Sequence, residues 1–358
     1  MPNRIWKTAA AALALLALAT LALAAQRSGE KKRAPREWPE LAGYEAMKIP
    51  ADNPMSPAKV RLGKQLYYDP RLSGDQNRSC YLCHLKEHGL TDGRPTAIGA
   101  YNVQLTRSSP TLWNVGYHSE FYWDGRSGSL EAQAKAAWAG GNMGASGKDG
   151  KPSMEDICKA LDRVRGYREQ FREVFGGKCT PDNVAKALAA FMRTLVSVDS
   201  DWIRFREGDP KALSPAARRG YELFKGKARC ENCHSGLLLT DLQYHNLGIG
   251  MKPKKKEKGK EPDWGRYNVT KQERDKGAFK TPTLLDIRQS APYFHDGSVA
   301  TLEEAVDLML AGGHDNAWLD TANLRPPVKL SRQERAELLQ FLRELGVKYD
   351  VKEPELPR

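Results

Sequence analysis

Two short runs in the sequence carry residues whose types and spacing suit thiol and metal chemistry: Cys80-Tyr81-Leu82-Cys83-His84 and Cys230-Glu231-Asn232-Cys233-His234. Cysteines three apart lie on one turn, so both thiols can add to the vinyl groups of a single porphyrin while the adjoining imidazole reaches the iron. That is the c-type haem attachment signature. One such run alone also suits a structural zinc site or a small disulfide loop. Two of them, in a chain with six cysteines and seven histidines, point to two covalently bound haems with His84 and His234 as iron ligands. The remaining cysteines, Cys158 and Cys179, either pair in an oxidising compartment and tie neighbouring helices or stay as buried thiols.

The elements that must hold these runs read as helices. Ser56-Pro57 starts one: serine caps it, and proline takes the first helical position, where its missing N–H costs nothing. Gly63, Leu66 and Tyr67 lie on that helix ahead of the first run. Ser214-Pro215 opens another, carrying Gly220, Leu223 and Phe224 ahead of the second. The repeated order predicts an internal duplication of a small helical haem module. The expected fold is mainly α: two cytochrome c-like haem domains at 56–205 and 206–350, then a tail at 351–358. Helical apolar spacing recurs over Ser129–Trp138, Met154–Val164 and Asn183–Arg204. It returns over Thr301–Leu310 and Ser331–Leu345, the last with a capping box in Ser331 and Glu334.

Arg4 and Lys7 precede an apolar run from Ala9 to Ala25 that ends in the small residues Ala22-Leu23-Ala24. This reads as an export signal over 1–25, with an uncleaved membrane anchor as the alternative. Both place the folded part outside the cytoplasm, where haem is attached covalently. A mean hydropathy of −0.62 and no second long apolar run leave the mature protein without a membrane span. Residues 26–55, charged and proline-rich, form a linker and an N-terminal strap. The net charge of +12 fits an acidic partner or an anionic membrane surface, and export of a haem protein argues against nucleic acid. Lys252 to Lys260 is read as a solvated lysine loop, with docking of an acidic partner as the alternative.

Longer motifs resemble the bacterial di-haem cytochrome c peroxidases and the related enzyme MauG. They are Leu62-Gly63-Lys64-Gln65-Leu66-Tyr67-Tyr68-Asp69 with Arg71-Leu72-Ser73, Ser109-Pro110-Thr111-Leu112-Trp113-Asn114, and Trp123-Asp124-Gly125-Arg126 with Ser129-Leu130-Glu131-Ala132-Gln133. In the second half they are Phe279-Lys280-Thr281-Pro282-Thr283-Leu284 and Ala291-Pro292-Tyr293-Phe294-His295-Asp296-Gly297. The likeness runs over nearly all of the chain after about residue 55. It implies that the first haem domain is peroxidatic and the second an electron relay. Trp123 matches the tryptophan between the two haems and Gln133 the distal glutamine. Met309 falls at the sixth ligand of the second haem, where the peroxidases have methionine and MauG a tyrosine. Ala100, in Ile98-Gly99-Ala100, stands where many peroxidases have a distal histidine, so the first haem resembles the open kind. His88 is read as a surface side chain, and His245 and His295 as structural groups or neighbours of propionates. A family calcium ion would take the carbonyls of Ser290 and Pro292, with Ser108 in place of the usual asparagine.

One departure matters most. Gly140-Gly141-Asn142-Met143-Gly144 stands where the family has a glutamate before its methionine, and Asn142 cannot move a proton. Either Asp149, Glu155 or Asp156 folds back from a mobile segment to replace it, or peroxide is cleaved slowly. The leading expectation is a periplasmic oxidoreductase, monomer or homodimer, that reduces hydrogen peroxide with electrons from a small c-type cytochrome or cupredoxin. Oxidation of a protein or small organic substrate in the manner of MauG is the second. A non-enzymatic electron carrier with a decayed site is the third.

Overall fold

Short polar side chains set where the helices begin. Helix α1 spans Pro57–Tyr68, and the Ser56 hydroxyl accepts from the Lys59 N–H at 3.2 Å. After it come α2 (Leu130–Ala139), α3 (Met154–Arg163), α4 (Arg165–Phe175), α5 (Pro181–Met192) and α6 (Asp201–Arg206). The second half holds α7 (Pro215–Lys225), α8 (Tyr267–Thr270), α9 (Leu302–Leu310), α10 (Thr321–Leu324) and α11 (Arg332–Arg343). Ser214 caps α7 as Ser56 caps α1, and Ser331 and Glu334 form the expected capping box on α11. The only named sheet among the described residues pairs β1 (Tyr244–Asn246) antiparallel with β2 (Ala278–Lys280), Tyr244 opposite Lys280. The fold is mainly helical. This computed structural model describes residues 38–251, 261–348 and 352–358. The signal segment, most of the linker up to residue 37 and the lysine run 252–260 lie outside the described residues.

Two separate apolar cores form. The first gathers buried residues from Leu62 to Leu195; the second draws on Leu41, Met47 and residues from Val196 to Leu345. Each centres on a pair of helices that meet at a glycine. At Gly63 in α1 a side chain would run into the Ala187 carbonyl and Phe191 of α5. At Gly220 in α7 it would run into the Glu337 carbonyl and Phe341 of α11. Only glycine permits either approach. Around the second crossing Trp202, Tyr221 and Phe224 meet Phe341 at centroid distances of 5.2 to 5.7 Å.

Two elements depart from the sequence reading. The apolar period over Asn183–Arg204 is not one helix but α5 and α6, separated by residues 193–200. There the Asn114 side chain accepts from the Ser197 N–H at 3.0 Å, and the Asn114 N–H donates to the Leu195 carbonyl at 2.8 Å. These bonds take the backbone groups a continuing helix would use. Helix α4 was not anticipated; it buries only Tyr167 and Phe171 among charged neighbours.

Candidate functional site

Each attachment run frames a cavity. The first, of about 490 Å³, has Cys80, Cys83 and His84 in its wall; the second, of about 200 Å³, has Cys230, Cys233 and His234. The imidazoles are held alike. His84 Nδ1 lies 3.0 Å from the Leu90 carbonyl, and His234 Nδ1 lies 3.1 Å from that of Leu239. A carbonyl only accepts, so Nδ1 carries the proton in both and Nε2 keeps a lone pair for a metal. Burial pushes His84 down to about 4 and His234 down as well, so both rings are neutral. It pushes the thiols of Cys80 and Cys230 up to about 12 and Cys83 up to about 11. Two thiols and a ligating imidazole at each largely apolar cavity fit a covalently attached porphyrin.

The wall of the first cavity also holds Gln133 from α2 and Asn142 and Met143 from the turn after it. The turn is pinned from behind: the Ala100 N–H reaches the Gly141 and Asn142 carbonyls at 3.1 and 3.0 Å, and the Gly74 N–H reaches Met143 at 2.7 Å. Ala100 is fully buried behind this turn and forms no part of the cavity wall. Among the described residues the Asn142 amide makes no side-chain hydrogen bond to protein, which leaves it available to a ligand, while the Gln133 amide is within hydrogen-bonding reach of the Tyr122 hydroxyl. None of the three carboxylates considered as replacements enters the wall. Asp149, Glu155 and Asp156 are exposed, and Asp156 is engaged in the α3 capping box with Ser153 and a pair with Lys159. The segment bearing them is closed by a bridge between Ser146 and Ser153. Among the described residues the one wall carboxylate is Asp124, tied to Arg107 at 2.8 Å and Arg126 at 3.0 Å. His88 is not in the wall.

Trp123 lines both cavities. Its indole N–H donates to the Ser108 carbonyl at 3.0 Å, and its ring meets His295 edge-on at 6.5 Å. His295 in turn stacks on Phe279 at 3.5 Å. Around the tryptophan the halves are joined by charge: Arg107 pairs with Asp263 at 2.7 Å and Arg266 with Glu120 at 2.8 Å. Ser108 donates its hydroxyl to the Phe294 carbonyl at 2.9 Å and its N–H to His295 at 2.7 Å. Ser290 donates instead to Ile287 at 3.2 Å. Met309, from α9, and His234 both line the second cavity. His245 lines it too, between Asp241 at 3.0 Å and Asp320 at 2.6 Å; those bonds, with one to Cys233, raise it to about 11.

Two wall residues escaped the sequence reading. His118 lines the first cavity, and burial, aided by nearby Lys280, pushes it down to about 3. Lys280 lines both cavities and donates to the Glu120 carbonyl at 2.6 Å; burial pushes it down to about 8. A histidine five residues before Trp123, in an otherwise apolar and aromatic stretch, was the available signal for the first. The second depends on a contact 160 residues long.

The model of the di-haem cytochrome c peroxidase family matches residues 57–211. Cytochrome-c peroxidase IdrP1 of Pseudomonas sp. (strain SCT) is 35% identical, over 96% of this chain and 94% of its own. Methylamine utilization protein MauG of Methylorubrum extorquens is 36% identical, over 87% of this chain and 85% of its own. Among solved structures, a MauG-like protein associated with microbial copper homeostasis superposes with a TM-score of 0.76 at 30% identity, covering 88% of this chain and 96% of that one.

Proposed function

This chain belongs to the di-haem cytochrome c peroxidase family, and from that premise we propose that it reduces hydrogen peroxide at the first cavity with electrons admitted at the second. The family makes it a peroxidase-like oxidoreductase with two c-type haems. The observation that carries the proposal is Trp123, one indole in the wall of both cavities. When bound, the haems supply iron that takes up and passes on single electrons and, at the first site, binds peroxide.

The chain's own residues do the rest. His84 and His234 each offer Nε2 to iron. Met309 offers a thioether to the second iron, which favours its reduced form and so its loading from a donor. Gln133 holds bound peroxide by its amide. Overall, peroxide takes two electrons and two protons, its O–O bond breaks, and two waters leave. Asn142 cannot carry the proton between the two oxygens, so cleavage is slow. That same gap favours a second reading, oxidation of a protein or small organic substrate at the first haem.

We read the donor as a small acidic c-type cytochrome or cupredoxin, since the chain carries a net charge of +12. Export through residues 1–25 and a periplasmic location belong to the same reading. So does descent of the two modules, at 56–205 and 206–350, from one duplicated unit, which the paired glycine crossings support. Calcium on Ser108, Ser290 and Pro292 does not fit. The Ser108 hydroxyl already donates to Phe294, the donor set carries no negative charge, and the adjacent side chain is the Arg107 guanidinium. Steady-state turnover of peroxide with a reduced small cytochrome tests the proposal. Oxidation of the cytochrome in step with peroxide loss is expected; absence of any peroxide-dependent oxidation would overturn it.

A further inference from the structure

Three tyrosines join the first cavity to the protein surface by ring contact. Tyr67, 2% exposed, is part of the cavity wall, and its hydroxyl donates to the His84 carbonyl at 3.3 Å. Its ring meets Tyr68 edge-on at 5.4 Å between centroids. Tyr68 then stacks on Tyr81 at 4.5 Å, with 27° between the planes. Tyr67 and Tyr68 end α1, and Tyr81 occupies a variable position inside the first attachment run, where it binds neither haem nor iron.

The far end differs chemically from the near end. An oxidised phenol gives up its proton and needs a group to take it. The carbonyl above Tyr67 cannot. Tyr81 is half-buried, with its hydroxyl at the solvent and 3.5 Å from Glu87 Oε2. Burial, Glu87 and then Glu353 of the C-terminal segment all raise its phenol pKa. Beside it Leu82 is 42% exposed, an apolar footing for a second ring. Rings in contact pass an electron far more readily than the same gap filled with aliphatic side chains, so the oxidising equivalent runs outward and settles at Tyr81.

We propose that Tyr81 is a surface oxidation site for uncharged phenols too bulky for the cavity, connected to the first haem through Tyr68 and Tyr67. This rests on the peroxidase reading. Two phenols each lose one electron and one proton, peroxide gains two of each, and two phenoxyl radicals and two waters result. At each turn Tyr81 loses an electron inward and its proton to Glu87, and both are restored by the phenol.

The test uses the fully haem-loaded protein, peroxide and a spin trap, with the adduct located by peptide mass spectrometry. An adduct on Tyr81 is expected, absent in Tyr81→Phe and about tenfold weaker in Tyr68→Phe. Oxidation of 2,6-dimethoxyphenol should fall about tenfold in both variants, while peroxide consumption with reduced cytochrome stays within about twofold. Tyr68→Phe lies outside the attachment run, so its result does not depend on haem loading. Peroxide consumption with Tyr81 unlabelled, or phenol oxidation unchanged in both variants, overturns this inference alone. No consumption with either donor overturns the proposed function with it.

Discussion

Replacing Asn142 with glutamate should return to the first cavity the proton-carrying group it lacks. The turn is suited to the change. Its carbonyls are fixed from behind by the Ala100 and Gly74 N–H groups, so the backbone can stay while the side chain lengthens by one methylene into a space of about 490 Å³. No wall carboxylate competes among the described residues, because Asp124 is occupied by Arg107 and Arg126. General acid–base assistance is typically worth about 10² to 10⁴ in rate, or about 3 to 5 kcal/mol of barrier. The new carboxyl has no preformed partner to aim it, so the lower end, about a hundredfold, is the expectation. Rapid mixing with peroxide gives the second-order rate constant. Asn142→Gln has the same length and no exchangeable charge, and should react like the parent. The glutamate variant should also slow as pH falls through its own pKa, which burial lifts above the usual ~4.3. Equal rates in the parent and both variants would refute the reasoning. So would a parent already reacting as fast as the glutamate form.

Met309→Leu should abolish the low-spin His/Met absorption of the second haem and lower its potential; an unchanged spectrum would reduce Met309 to packing. Cys158 and Cys179 are buried with their thiols in hydrogen-bonding contact, so the protein purified under oxidising conditions should show neither as free thiol. Reductant should then lower Tm by an amount corresponding to about 3 kcal/mol, and two titratable thiols per untreated chain would refute the pairing. His118 gives a pH signature. The unfolded chain takes up its proton near 6.5, whereas the folded protein refuses it until about 3, so this residue costs stability progressively as pH falls through that window. His118→Gln should flatten the acid limb of denaturant-measured stability between those values; an unaltered limb would show that the ring is not the source. Chelation of calcium should leave the first haem's spectrum unchanged, because the Ser108–Phe294 bond already joins the halves directly.

Legibility in the sequence followed the range of the interaction. The attachment runs and the caps at Ser56, Ser214 and Ser331 act within a few residues, and the structure has them where the residues imply. The break between α5 and α6 does not: Leu195 and Val196 continue the apolar period, and only the distant Asn114 takes the backbone out of it. Helix α4 was hidden because two buried aromatics among arginines and glutamates give too narrow a stripe. At the site, Gln133, Trp123 and Met309 could be named only through family likeness, since 75 residues separate Met309 from His234. Likeness is also why His118 and Lys280 were missed. The first corresponds to no motif position with a known task. The second sat inside a quoted motif without a role until β2 brought it between the cavities.

The two modules use one construction around the attachment run and diverge elsewhere in the cavity wall. Each sets its run after a capped helix that crosses its partner at a glycine, and each holds its imidazole by an Nδ1–H bond to a nearby carbonyl. At the second cavity helix α9 brings Met309, which on the proposed reading is a soft ligand to the iron. At the first, α2 brings the Gln133 amide and a pinned turn that of Asn142, which can bind a small molecule but cannot displace it from iron as a histidine would. A closed iron suits electron passage, because little need rearrange when its charge changes. An open one suits peroxide. On the proposed reading the division of labour rests on a handful of cavity residues, and Ala100 contributes to it indirectly, by holding the Asn142 turn in place rather than by lining the cavity.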